Sequence, residues 1–343
     1  MPQFVPNLEL NAALYAEVVA PLLGGRVHSA ALLGWGSEVL GLDTSRSTDH
    51  GWGPRLQIFV EEHDVDSLRQ LIDEALPESF RGWPTRYGWD STPVSHHVEV
   101  VPLGAWLERW IGLDPRGGMR PMDWLLVPQQ HLLGVVRGAV FHDPSGELGS
   151  LRRALEWYPE DVWRWLVGCQ WRRIAQEEAF VGRAAEVGDD LGSRLVAARL
   201  ARDLMRLCFL LARQYWPYSK WLGTSFSRLA DDDGLSAALT SVVDASDYVS
   251  REDALVASYE AVARRHNRSG ITEPVDPRVR QFYGRPFRVL MADRFVDACL
   301  AQITDPWLRS LPLVGSVDQV ADSTDVLAFA ERSRRLRRLY QSD

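Results

Sequence analysis

The sequence predicts an α+β fold, in which a small mixed-sheet domain is followed by a larger, all-helical domain. Within about the first 120 residues, apolar runs with the length and composition of strands alternate with segments that have helical spacing. Later segments repeat apolar side chains every three or four residues and show no sustained alternation. Strands mixed with helices, followed by helices alone, are typical of an α+β chain. We therefore assign residues 1–119 to the sheet domain and residues 120–343 to the helical domain.

The predicted elements follow in order along the chain. An opening helix is expected because apolar residues recur at helical spacing up to Gly24-Gly25, and Asp64 or Asp66 can cap the first amphipathic helix after the second strand. Strands are predicted at residues 27–34, 55–61 and 96–103, and helices at residues 7–23, 67–76, 253–266 and 278–303.

Charge and composition narrow the possible functions. The chain has 343 residues, of which 46% are hydrophobic, so it can bury a full core. Its formal charge of -8 argues against bulk nucleic acid or an anionic membrane as a partner, because both need a broad positive surface. No run is long enough to span a bilayer, and no signal peptide is visible. A cytoplasmic protein is expected, with Cys169, Cys208 and Cys299 as reduced core residues.

A Gly-Ser pair and two carboxylates accompany the predicted strands. Gly36-Ser37 follows the first strand, Asp49-His50 precedes the second, and Glu99 lies between two valines on the third. A Gly-Ser turn can bring backbone N–H groups and a hydroxyl close to a phosphate. Carboxylates on neighbouring strands are a natural platform for Mg²⁺. The alternatives are an ordinary turn at Gly36, a helix cap or turn at Asp49, and an internal ion pair between Glu99 and an arginine.

This ordered set resembles the nucleotidyltransferase fold of the DNA polymerase beta superfamily. The signature of that fold is a Gly-Ser pair after one strand, two carboxylates two residues apart on the next strand, and a third carboxylate on a later strand. A longer set of residues in this chain is similar to the sequence of an uncharacterised bacterial family of such nucleotidyltransferases. It covers residues 36–41, 43–44, 47–50 and 52–56, and continues at 216–223, 266–267, 285–287, 318–319 and 322–325.

The resemblance implies a role for each matching residue. Gly36 and Ser37 would contact the triphosphate, while Asp49 and Glu99 would hold Mg²⁺. Glu99 is also the expected base for the acceptor hydroxyl. The implied activity moves a nucleoside monophosphate from a nucleoside triphosphate to a small-molecule or protein acceptor, with pyrophosphate as the leaving group.

Basic residues supply further candidates for nucleotide binding. Of the 38 basic residues, 37 are Arg and one is Lys220. Position 220 is therefore a candidate for a site that requires the compact ammonium group of lysine. The alternative is that a lysine is present there by chance. Arg55 and Lys220 are expected to contact the departing phosphates, and Lys220 would give the helical domain a reason to cover the site. His50 is a third candidate contact.

One position departs from the superfamily pattern. The second carboxylate is expected at residue 51, two residues after Asp49 and on the same strand face, where this chain has Gly51. Either catalysis is weakened, or His50, Asp43 or water fills the gap. The rival hypotheses are therefore an active Mg²⁺-dependent nucleotidyltransferase, a catalytically impaired nucleotide-binding regulator, and a structural interaction protein that binds neither metal nor nucleotide.

Overall fold

The computed structural model describes residues 2–229 and 233–341, and these fold into two compact units. The sheet unit is drawn from Met1–Met119, Gln130–Glu156 and Ala328–Arg334. The helical unit is drawn from Arg120–Gln129, Trp157–Leu327 and Arg335–Asp343. Residue 119 is thus one of the points at which the chain passes from the first unit to the second.

The sheet unit is built on a mixed β-sheet. Its strands are β1 (Ser29–Leu32), β2 (Arg55–Phe59), β3 (Ser79–Phe80), β4 (Trp83–Pro84), β5 (Arg86–Trp89), β6 (Thr92–Val101) and β7 (Ala139–His142). Within the part of the chain that the structure describes, five strands form the main sheet in the order β5-β6-β2-β1-β7, while β3 and β4 pair separately. β1 runs antiparallel to β2 and β7, and β6 runs parallel to β2.

Helices cover the sheet of this unit. They are α1 (Asn7–Leu14), continued by a π-helix (Tyr15–Val19) and α2 (Ala20–Leu23), then α3 (Val65–Ala75), α4 (Leu103–Ile111), α6 (Gln129–Val136), α7 (Glu147–Ala154) and α18 (Ala330–Arg334). Short 3₁₀ helices span Ser45–Asp49, Glu62–Asp64 and Pro115–Gly117.

The core of the sheet unit lies on one face of β2 and β6. Leu56 and Ile58 of β2 are buried with Val98 and Val100 of β6, against the opening helix and α3. Because side chains alternate along a strand, Arg55, Gln57, His97 and Glu99 belong to the opposite face. Apolar burial therefore fixes which polar side chains share that second face.

The helical unit consists mainly of helices. They are α5 (Pro121–Leu126), α8 (Glu160–Glu177), α9 (Phe180–Glu186), α10 (Asp190–Leu211), α11 (Ser219–Phe226), α12 (Leu235–Asp244), α13 (Tyr248–Ser269), α14 (Asp293–Ala301), α15 (Pro306–Ser310), α16 (Val317–Val320) and α17 (Thr324–Leu327), with a 3₁₀ helix at Arg335–Tyr340 and a short hairpin of β8 (Arg280–Gln281) and β9 (Arg288–Val289). None of the described helices combines the length and the apolar composition that crossing a membrane requires.

The α+β class and the three predicted strands are confirmed, and two details of the helical domain were wrong. The strand β7 comes from the region expected to be all-helical, yet it pairs with β1 in the main sheet. The helix predicted at residues 278–303 is helical only in α14, because β8 and β9 form a hairpin before it. β7 was missed because a strand of four residues surrounded by helical segments has too short a pattern to recognise.

His266 illustrates a buried histidine with a structural role. Its side chain is fully buried in the helical unit, where the Trp171 indole N–H donates to its Nδ1 at 3.1 Å. Its Nε2 lies 2.9 Å from Thr272 Oγ1, whose hydroxyl donates to the Glu273 carbonyl. Nε2 therefore carries the proton of a neutral imidazole, and burial lowers the pKa of His266 to about 4.

This pKa shift predicts a loss of stability in acid. The unfolded chain takes up a proton on His266 near pH 6.5, whereas the folded chain resists protonation until about pH 4. The contribution of His266 to the free energy of unfolding is therefore fully present above pH 6.5. This contribution decreases as the pH falls, and about 2 kcal/mol of it is lost at pH 5. Urea unfolding of native protein and of His266→Gln at several pH values should show a shallower pH dependence for the variant. The exposed His63→Gln is the control, and equal slopes for all three proteins would refute the prediction.

Candidate functional site

The candidate site lies at one end of the main sheet. β1 ends where the antiparallel β2 begins, and the parallel β6 passes the same end, with Arg55 opposite His97 and Gln57 opposite Glu99. The connection between β1 and β2 and the polar face of β6 consequently belong to one region of the sheet unit. Gln57 also joins the two strands beyond their ladder, because its Oε1 accepts a hydrogen bond from Leu33 N at 2.9 Å.

Gly36 and Ser37 form a tight turn directly after β1. Gly36 has a φ of +117°, and a Cβ there would lie 2.5 Å from the carboxylate of Glu38, so only glycine fits this position. The turn is closed by Leu42 N, which donates to the Ser37 carbonyl at 2.8 Å. Among the described residues, the backbone N–H groups of Gly36, Ser37 and Glu38 have no hydrogen-bond acceptor. They are the kind of free donors that bind a phosphate group.

A buried ion pair between Arg55 and Glu38 stabilises this turn. The guanidinium of Arg55 binds Glu38 Oε1 through Nε at 3.0 Å and through a terminal nitrogen at 2.7 Å. It also donates to the Trp35 carbonyl and lies 4.3 Å from the centre of the Trp35 ring. The side chains of Arg55 and Glu38 are only 6% and 3% exposed. Arg55 was predicted as a phosphate contact, and the structure shows its charge already balanced inside the fold.

Buried amides hold the beginning of β2. The side-chain amide of Asn7 donates to the Gly53 carbonyl at 2.9 Å, and Arg55 N donates to Asn11 Oδ1 at 2.7 Å. Asp43 Oδ2 accepts from Asn7 N at 2.9 Å and from the Trp52 indole at 3.0 Å. One oxygen of Asp43 is therefore occupied by structural contacts, which disfavours the suggestion that this residue replaces the missing carboxylate.

Asp49 and Gly51 do not lie on a strand, contrary to expectation. Asp49 is the exposed last residue of the 3₁₀ helix Ser45–Asp49, and β2 begins only at Arg55. Gly51 has a φ of +63°, and a Cβ there would lie 3.0 Å from the Trp35 ring. The residues between Asp49 and Arg55 include Gly53, whose carbonyl takes part in the amide contacts described above, and strand β2 begins only after them. The prediction that residues 49 and 51 lie on the same face of one strand was therefore wrong.

Glu99 lies on β6 as predicted, and it pairs with Arg109 of α4. This is the internal ion pair that the sequence left open as an alternative. Glu99 and Arg109 are 37% and 58% exposed, so the pair contributes about 1 kcal/mol or less and is accessible to a ligand. No group of three or more His, Cys, Asp or Glu side chains suited to a metal occurs in residues 2–229 and 233–341. A preformed, all-protein magnesium site is thus not present there, and Mg²⁺ at Asp49 and Glu99 stays a prediction.

An aromatic cluster beside the turn was missed by sequence reasoning. It consists of Trp35, Tyr87, Trp89 and His97, with ring centres 5.6 Å apart for Trp35 and Trp89 and 5.0 Å apart for Trp89 and His97. His97 Nε2 binds the Tyr87 carbonyl at 2.8 Å, and burial lowers the pKa of this imidazole. His50 lies next to the cluster, 3.4 Å from Asp90 at the tip of the β5–β6 hairpin. The only signal of this cluster in the sequence was the abundance of tryptophan between β1 and β2 and between β2 and β6.

The remaining candidates belong to the helical unit. Lys220 is the second residue of α11, and its Nζ lies 4.9 Å from the centre of the Trp221 ring. Its predicted contact with the nucleotide would join two units and stays a prediction. Trp163 and Trp171 are fully buried and belong to the core of the helical unit.

Comparisons with known proteins find similarity to one family profile and to solved structures. Residues 124–222 match the profile of a family described as a domain of unknown function (DUF4037), a range that includes Lys220 and excludes the Gly36-Ser37 turn and Glu99. A nucleotidyltransferase-like protein from Exiguobacterium sibiricum has a similar structure, with a TM-score of 0.36 and 11% sequence identity. The alignment covers 80% of this chain and 82% of that one. No curated protein matches the sequence.

We expect the buried ion pair to show strong energetic coupling. Arg55→Met leaves the Glu38 carboxylate buried without a partner, and Glu38→Gln does the same to the guanidinium, so each single change should cost about 3–5 kcal/mol. The double variant should cost clearly less than the sum, because no charge remains uncompensated. Urea unfolding of the four proteins measures this coupling. The exposed pair Asp66 and Arg69 is the control and should show none; additive effects at Glu38 and Arg55 would contradict the expectation.

Proposed function

We propose that the sheet unit binds a nucleoside triphosphate at the Gly36-Ser37 turn and that the protein is a nucleotidyltransferase. The observation that carries this proposal is the set of free backbone N–H groups at Gly36, Ser37 and Glu38, in a conformation that only glycine permits. Donors fixed before the ligand arrives bind an anion without paying for their own ordering, which favours the bound phosphate. The buried charge of Glu38 does not oppose this binding, since Arg55 balances it.

The carboxylates are compatible with transfer chemistry. Mg²⁺ in nucleotide enzymes is commonly held by one or two protein carboxylates together with the substrate phosphates, so the two acids do not need a third partner before the nucleotide binds. Bound in this way, the ion would neutralise the triphosphate. Asp49 is exposed and free to turn toward a ligand, and Glu99 is held only by a partly exposed arginine. Glu99 can therefore exchange Arg109 for the acceptor hydroxyl at small cost and serve as the base.

The acceptor is proposed to be a small molecule or a protein. The net charge of -8 argues against a long nucleic acid, because binding one requires an extended positive surface.

Binding without transfer is the second candidate, and it is favoured by the surroundings of Gly51. The position that would supply another carboxylate has no side chain, and the rings of Trp35 and Trp89 occupy the space a side chain would need. Restoring an acid by Gly51→Asp is accordingly a poor test, since crowding would disturb the loop whatever the chemistry. Pyrophosphate release by the native protein separates the two candidates directly.

The proposal predicts that a nucleoside triphosphate raises the thermal unfolding midpoint. A ligand at a hundredfold excess over its dissociation constant stabilises the fold by about 2.7 kcal/mol. Gly36→Ala should abolish this shift, because the added methyl group meets the Glu38 carboxylate and displaces the turn. The matched control is Gly41→Ala in the same turn: Gly41 also has a positive φ, +64°, but open space surrounds its Cβ position. Gly41→Ala should keep the shift even though it lowers the midpoint.

Transfer is then tested by pyrophosphate release with Mg²⁺, for native protein and for Asp49→Ala. Release that Asp49→Ala removes would support the enzyme, whereas nucleotide binding without release would support the second candidate. No thermal shift with any of the four nucleoside triphosphates would overturn both and leave the structural interaction protein.

A further inference from the structure

The space beside Gly51 is filled by an aromatic surface that the proposed reaction does not explain. Trp35 is the residue immediately before Gly36, and 44% of its surface is exposed. On its other sides it lies against Arg55 and Trp89, and its ring edge faces the position that a Cβ at Gly51 would take. The exposed part of this ring is available to stack on a flat ligand beside the turn.

Contacts with Arg55 also hold Trp35 in its place beside the turn. The Arg55 guanidinium lies 4.3 Å from the ring centre and at the same time binds the carbonyl of Trp35 and the carboxylate of Glu38. The edge of the ring lies 3.0 Å from the position of a Cβ at Gly51, so any side chain there would push it away. A ring fixed from several sides loses little conformational entropy when a flat ligand stacks on it.

The aromatic cluster extends this surface toward the β5–β6 hairpin. The Trp89 ring is 5.6 Å from Trp35, and the His50 ring is 6.4 Å from Trp89. Rings that can accept a flat ligand therefore begin one residue away from the backbone donors of the Gly36-Ser37 turn. A nucleotide presents the same two groups, a flat base and a phosphate chain, joined by a short sugar.

We infer that Trp35, supported by Trp89, is the stacking platform for the base of the nucleotide. This inference rests on the proposed function, because it takes the phosphates to lie at Gly36-Ser37. It also gives a reason for the missing carboxylate: the space of a side chain at residue 51 is given to the ring that binds the base. Stacking accepts any base because every base has a π face, and purines gain most because their rings are larger.

The inference is tested by titration calorimetry with three kinds of ligand: inorganic tripolyphosphate, nucleoside triphosphates and free nucleosides. Trp35→Leu keeps an apolar side chain but removes the aromatic ring, and Trp35→Phe restores a smaller ring. Trp35→Leu should weaken binding of purine nucleoside triphosphates about tenfold or more and leave binding of tripolyphosphate unchanged. Trp35→Phe should recover most of the loss. Trp307→Leu, a half-buried tryptophan of the helical unit, is the control and should change neither.

The outcomes separate this inference from the proposed function. Tripolyphosphate binding equal in strength to nucleotide binding by the native protein would leave the phosphate site and overturn the platform. Nucleoside binding that Trp35→Leu removes, without any binding of tripolyphosphate, would support the platform and overturn the phosphate site. Equal weakening of tripolyphosphate and nucleotide by Trp35→Leu would show that Trp35 only shapes the turn, which also overturns the platform. Circular dichroism and the unfolding midpoint verify that each variant is folded.

Discussion

The buried ion pair between Arg55 and Glu38 is the contact on which the candidate site depends. Two charges removed from water are tolerated only when each fully compensates the other, so neither side chain can move alone. Arg55 begins β2 and Glu38 belongs to the turn after β1, so the pair locks that turn to the sheet. The same guanidinium fixes Trp35. One electrostatic constraint thus ties both Glu38 of the turn and the neighbouring Trp35 ring to the beginning of β2.

Two of the three acidic residues in the loop between β1 and β2, Glu38 and Asp43, are engaged in structural contacts. Asp43 is tied to the opening helix and Gly51 yields its space to rings, whereas Asp49 remains exposed. Under the proposed function, the turn would supply phosphate donors and Trp35 an aromatic surface, while the nucleotide itself would bring most of the charge and coordination that Mg²⁺ needs. Transfer would then depend on how firmly Asp49 and Glu99 hold the ion once the nucleotide is bound.

Much of the sheet was predictable, because period-two alternation of apolar residues is a local signal. The alternation of Val98, Glu99 and Val100 gave both the strand and the polar direction of Glu99 correctly. The partner of Glu99 was not predictable, since any of 37 arginines could have approached it and only the fold selects Arg109. The pairing of Glu38 with Arg55 was not predicted from the sequence for the same reason. The late start of β2 depends on contacts of Gly53 with residues far away along the chain, which no local pattern contains.

The order in which β7 enters the sheet has a consequence for how the protein is made. β1 pairs with β2 along one edge, and the strand that pairs with its other edge lies further along the chain, at residues 139–142. A chain that paired β1 with β2 before residues 139–142 were made would leave that edge of β1 as an open template for pairing with another chain. A truncated form ending at residue 119 would keep that edge open permanently. The sheet unit is therefore a poor candidate for expression as a contiguous fragment.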